Sequence, residues 1–200
     1  MRTLLIAAAT LLGIAASSAS ADGKDRIRAK LTGYQEVPAV STPASGRFVA
    51  DVAPDGSYFD YELTYRGLQG VITQSHIHFA QKSVNGPVVI WLCRTATNPG
   101  PAAPNQSADC AMNGPGQAGE FSVSGRITAA NVLATPAPPT GGQQLAVGEL
   151  AEALAAMRAG VAYVNVHTTL SPGGEIRGQT RGRGMRKEDE RDGHDGDHKH

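Results

Sequence analysis

Along residues 58–66 apolar and polar side chains alternate strictly. Phe59, Tyr61, Leu63 and Tyr65 fall on one side, and Asp60, Glu62, Thr64 and Arg66 on the other. A period of two with one wet face is the pattern of an antiparallel sheet packed on one side only. The turn Pro54-Asp55-Gly56 joins this strand, Tyr58–Tyr65, to a preceding one at Arg47–Val52. The same reading predicts strands at Arg26–Thr32, Val71–Ala80, Pro87–Leu92, Gly119–Thr128, Gly160–Thr168 and Glu175–Thr180, and "LSPGGE" at 170–175 closes the last two into a hairpin. One stretch, "GELAEALAAMRAG" at 148–160, changes period. Leu150, Leu154, Met157 and Val161 recur at helical spacing and Gly160 is placed to stop the helix, which gives a short amphipathic helix near 149–159. Its narrow apolar stripe is expected to pack on the core, because so short a helix persists only when that stripe is buried. The fold class expected is all-β, an antiparallel β-sandwich or barrel of Greek-key-like character with that one helix. The segment "NVLATPAPPTGGQQ" at 131–144 reads as a long surface excursion.

The two ends differ from the middle. Arg2, an apolar run over Leu4–Ala16 and Ala19-Ser20-Ala21 have the three parts of an export signal, so residues 1–21 are expected to be cleaved after Ala21 and the protein exported to the periplasm or medium. The run is shorter than the roughly 18 residues a spanning helix needs, so no stable membrane insertion is expected. Residues 26–182 then form one domain, and 183–200 ("RGMRKEDERDGHDGDHKH" from Arg183) a charged, disordered tail. The chain carries 18 Lys+Arg against 18 Asp+Glu, a balance that offers nothing to nucleic acid or an anionic surface. Cys93 and Cys110, with "RTATNPGPAAPNQSAD" between them, lack the short spacing of zinc or redox motifs. In an exported protein they predict a disulfide across a loop too rich in Pro and Asn for regular structure.

Three strings carry a family resemblance: "LTGYQEVPAV", "SHIHFA" and "AGVAYVNVHTTLSPGGEIRGQ". Together they resemble the CHRD family, the domain repeated in the extracellular protein chordin and found singly in exported bacterial proteins. The resemblance spans roughly Arg26–Gly182 and implies an all-β extracellular module. Chordin's cysteine-rich repeats are not in this chain, so chordin's growth-factor role is not carried over.

Candidate chemistry rests on histidines. In Val71–Ala80 the apolar Ile77 and Phe79 claim the core side, which turns His76 and His78 away from it. In Gly160–Thr168, Ala162, Val164 and Val166 leave Tyr163, Asn165 and His167 on the opposite face. Histidines two apart on a strand have Cα atoms about 6.5 Å apart, close enough for both rings to reach one ion. His167 supplies the third ligand only if its strand lies beside, or across an opening from, that of His76 and His78. Nitrogen ligands suit copper or zinc, and affinity would fall through about pH 6.5 as the imidazoles protonate. The alternative is a hydrogen-bonding surface cluster of the same histidines with Tyr163 and Asn165. His194, His198 and His200, interleaved with Asp192, Asp195 and Asp197, offer weak metal binding in the tail. Glu175, Arg177 and Gln179 share a strand face and read as a cross-strand or edge-protecting row. No P-loop, dinucleotide fingerprint, G-x-S-x-G or H-E-x-x-H occurs. The sequence therefore points to an exported, non-enzymatic binding module with a copper or zinc ion on His76, His78 and His167. Two rivals are a redox or hydrolytic metalloenzyme using the same trio, and an extracellular protein- or matrix-interaction domain without metal.

Overall fold

A computed structural model describes residues 25–102, 106–112, 119–136 and 142–182. The expected leader, its cleavage site and the tail with His194, His198 and His200 lie outside the described residues. The strands are β1 Arg26–Thr32, β2 Ser45–Val52, β3 Tyr58–Arg66, β4 Ile72–Phe79, β5 Val88–Arg94, β6 Ala108–Asp109, β7 Glu120–Thr128, β8 Ala162–Thr168 and β9 Ile176–Gln179, with one α-helix, α1, at Leu150–Arg158. They form one sheet in the order β6-β5-β4-β8-β9-β1-β2-β3-β7. Its two ends, β6 and β7, come back into contact, so the sheet nearly closes into a barrel. All pairings are antiparallel except β5 with β6, which makes the sheet mixed.

The alternation read from the sequence decides what lies inside. Phe59, Tyr61, Leu63 and Tyr65 of β3 are buried, with Phe48 and Ala50 of β2, Ile27 and Leu31 of β1, Ile77 of β4, Val164 and Val166 of β8 and Ile176 of β9. Tyr61 and Tyr65 carry hydroxyls into this core, and each finds an acceptor across the barrel: Tyr61 donates to the Leu92 carbonyl and Tyr65 to the Ala111 carbonyl. Leu150, Ala153, Leu154 and Met157 of α1 are buried as the periodicity predicts, and Gly160, at φ 74°, ends the helix in a conformation suited to glycine.

Three expectations need correction. The loop between the cysteines contains β6, because Ala108 and Asp109 add to the free edge of β5; Cys110 follows at once and stands 2.06 Å, Sγ to Sγ, from Cys93. The 131–144 segment is only partly a surface excursion. Val132 and Thr135 are buried, held by Leu133 N–H to Val89 carbonyl and Thr135 N–H to Leu145 carbonyl bonds. Finally, β9 lies between β8 and β1, so Glu175, Arg177 and Gln179 cannot protect an edge. They serve the cross-strand role instead, and Glu175 and Arg177 are almost wholly buried.

Candidate metal centre

The geometric condition set by the sequence is met, since β8 lies directly beside β4. The register places Gln74 opposite His167, His76 opposite Asn165 and His78 opposite Tyr163. Alternation sends Ile77 and Val164 into the barrel and puts His76, His78, Tyr163, Asn165 and His167 together on its outer face. Ile72 departs from simple alternation: the register slips between Ile72 and Gln74, and Ile72 is buried in the core.

This outer face is not solvent. His76, His78 and His167 are 2%, 8% and 6% exposed, and every residue of β8 is buried. The alternative of a hydrogen-bonding cluster at the surface is corrected in one respect: the cluster with Tyr163 and Asn165 is buried. The loops 33–43, 81–87 and 169–175 cover the face and are tied to one another and to the site. Asn85 donates to the Val37 carbonyl, Gly174 abuts the Glu36 carboxyl, and Arg177 donates to Asn85 Oδ1 at 3.1 Å and to the Val84 carbonyl at 2.8 Å.

Hydrogen bonds from the covering loops set the tautomers. His78 Nδ1 lies 2.8 Å from the Gly86 carbonyl and His167 Nδ1 lies 2.9 Å from the Pro172 carbonyl. A carbonyl only accepts, so both Nδ1 atoms carry the proton and both Nε2 atoms present lone pairs. His167 Nε2 lies 3.2 Å from His76 Nδ1, which donates to it, and 3.0 Å from the Asn165 side-chain amide, so its lone pair is engaged within the protein, whereas His76 Nε2 is left with a free one. His76 Nε2 and His78 Nε2 are buried without a hydrogen-bond partner. Holding the far nitrogen of an imidazole by a carbonyl while the near one faces a common point is how proteins orient metal-binding histidines.

Among the described residues these three are the group able to hold a metal, with ligand atoms all within 4.8 Å of one another. Two nitrogens on one ion are separated by at most about 4.2 Å, so side-chain adjustments of an ångström or less would close the set. Burial disfavours the imidazolium form. It pushes His78 down to about 4 and His76 lower still, with the neighbouring histidines adding to the effect, and it also lowers His167. Burial thus moves proton competition for these nitrogens below the pH 6.5 of an exposed histidine, toward lower pH than the sequence alone suggests.

Aromatic and cationic groups complete the surroundings. Trp91 meets His76 edge-on at 4.3 Å, and Tyr163 stacks on His78 at 4.6 Å with the rings 3° apart. Arg177 lies over the Tyr163 ring, 3.4 Å from its centroid. Sequence reasoning named Tyr163 and Asn165 and placed Arg177 on a polar row, but missed Trp91 and Glu36. Period-two reading of "VVIWLCR" from β5 turns Trp91 to the same outer face, a signal that was available. Nothing local marks Glu36, which lies 7% exposed in a loop.

A near-closed β-barrel with a loop-covered cluster of neutral imidazoles defines a class of β-module carrying a built polar site on its outer wall. The chain belongs to the CHRD family: residues 27–180 match the model of the CHRD domain. No curated protein and no solved structure matches it. Among the described residues no helix is long and apolar enough to cross a membrane.

Proposed function

We propose that this CHRD domain is an exported metal-binding module that holds one copper or zinc ion on His76, His78 and His167. One observation carries the reading: His76 and His78 are buried and each keeps a buried Nε2 that no protein group satisfies. A buried polar atom left unpaired costs about 1–3 kcal/mol, and a metal ion is the partner that would satisfy these nitrogens and His167 Nε2 together. All three imidazoles are neutral at neutral pH, so binding needs no prior deprotonation, only release of the His76–His167 hydrogen bond. A disulfide between Cys93 and Cys110 is compatible with an oxidising compartment. The domain boundaries 26–182, the leader and the tail retain their sequence-based assignments as part of this proposal.

The test is calorimetric titration of the full chain with Cu(II) and Zn(II) after His194, His198 and His200 are replaced by Ala, which removes weak tail binding. One ion per chain is expected, and binding should be lost on His78→Ala or His167→Ala. Binding that survives both replacements, or none in the parent, rejects the site and leaves a protein- or matrix-interaction domain as the reading. Turnover by the loaded protein would move it to the metalloenzyme class.

A further inference from the structure

We infer that the three-histidine site is built for monovalent copper, and that Arg177, acting across the Tyr163 ring, biases it against divalent ions. The inference rests on the metal reading above and adds the charge of the ion.

The donor set supplies the first reason. It consists of three neutral imidazoles, with no carboxylate or thiolate in the group. The solvation cost of a buried ion rises with the square of its charge, so a divalent ion that keeps its whole charge among neutral ligands is penalised about four times as heavily as a monovalent one. Number and geometry agree. Zinc takes four ligands and Cu(II) favours a tetragonal set, whereas the protein offers three nitrogens, a set that a monovalent copper ion can accept as complete.

A fixed cation supplies the second reason. Arg177 is 1% exposed, and its guanidinium does not give up its proton. In the sheet β8 is flanked by β4 and β9, so His78 and Arg177 approach Tyr163 from opposite sides, at 4.6 Å and 3.4 Å from its ring. The hydrogen bonds of Arg177 run to neutral acceptors, Asn85 Oδ1 and the carbonyls of Val84 and Gln81. Glu175 does not pair with Arg177: its carboxylate is held instead by the Thr42 and Thr168 hydroxyls and the Gln69 and Gly70 amides. Glu36 is the carboxyl that acts on Arg177, and burial holds it up to about 7, so near neutral pH it cancels only part of the positive charge. With Arg177 3.4 Å from the Tyr163 ring and that ring 4.6 Å from His78, a unit charge on the order of 10 Å from the ion, at an effective dielectric of about 20, shifts the affinity ratio between a divalent and a monovalent ion by about tenfold.

The experiment uses the full chain with the three tail histidines replaced by Ala, at about pH 8, where Glu36 is mostly ionised. Cu(I) affinity is measured anaerobically by competition with bicinchoninate, and Cu(II) and Zn(II) affinities by competition with chromophoric chelators. One Cu(I) per chain is expected, bound more tightly than either divalent ion. Arg177→Met should raise the Cu(II)-to-Cu(I) affinity ratio about tenfold and Arg177→Lys by much less. Glu36→Gln, nearly isosteric, should lower the ratio a fewfold, and it tests the same field if Arg177→Met does not fold. Absence of binding by every ion defeats the metal reading itself. Zn(II) or Cu(II) binding as tightly as Cu(I) leaves that reading standing and overturns this inference. An affinity ratio unmoved by the folded variants removes the role given to Arg177.

Discussion

Acidification should destabilise the metal-free domain well before its carboxylates protonate, and the buried histidines set the size of the effect. In the unfolded chain each imidazole takes a proton near pH 6.5; in the fold His76, His78 and His167 resist protonation because they are enclosed. The unfolded state therefore binds more protons below pH 6.5, and stability falls as pH drops. A histidine that stays neutral in the fold contributes a loss of about 1.4 kcal/mol between pH 7.5 and 5.5. In the limit that all three do, the loss is roughly 4 kcal/mol. Glu36 acts in the opposite sense. Its folded value is raised to about 7 from 4.5, so the fold holds the extra proton between these values and gains stability as pH falls through them. That returns roughly 2 kcal/mol over the same interval. The net loss is roughly 2 kcal/mol by pH 5.5 and roughly 5 kcal/mol by pH 4.5, close to the whole stability of an ordinary domain. Urea unfolding in the presence of a chelator, followed by Trp91 fluorescence across this range, measures it. His78→Phe should flatten the slope by about one proton, and Glu36→Gln should steepen it. A midpoint that is level or rises from pH 7.5 to 5.5 would refute the claim that the trio is buried and neutral.

The remaining predictions concern the same wall of the barrel and its supports. Trp91 is the sole tryptophan and lies 4.3 Å from His76, so loading with Cu(II) should quench most of the fluorescence, and His76→Ala should abolish the quenching along with binding; an unquenched, loaded protein would place the ion elsewhere. Glu175→Ala removes the acceptor of four hydrogen bonds, from the Thr42 and Thr168 hydroxyls and the Gln69 and Gly70 amides, and should cost about 3 kcal/mol in urea unfolding. Gly178→Ala would set a Cβ 2.4 Å from the Lys30 carbonyl oxygen, so it should part β9 from β1 and lower the melting temperature by several degrees. Replacing both Cys93 and Cys110 by Ala should cost about 3 kcal/mol through the freed loop, without abolishing the fold.

Most of the sheet was legible because its pattern is local. β1 matches the expected Arg26–Thr32, β3 extends the expected strand by one residue, and α1 falls within 148–160 with its apolar stripe inward. What escaped notice was short or depended on a distant neighbour. β6 is two residues long and exists because β5 offers it an edge. The central position of β9, which buries Arg177, follows from β1 returning beside it, a pairing made by residues more than a hundred positions apart.

The site divides along the same line. That His76, His78 and His167 share the outer face follows from period two, and that they meet follows from β4 pairing with β8. Their burial does not follow from either, because the covering comes from loops whose own sequences give no periodic signal. Those loops also supply the chemistry that distinguishes a ligand set from a polar patch. The Gly86 and Pro172 carbonyls fix the protons on Nδ1 of His78 and His167, and the Asn85, Val84 and Gln81 oxygens hold Arg177 against Tyr163. A histidine on an open strand would rotate, hydrate and titrate near pH 6.5. Under this cover the same residue keeps one tautomer, one orientation and its lone pair. The strings "LTGYQEVPAV" and "LSPGGEIRGQ" therefore matter to the site although neither contains a histidine: the first brings Glu36 and the Val37 carbonyl to the cover, and the second brings Pro172, Gly174 and Arg177.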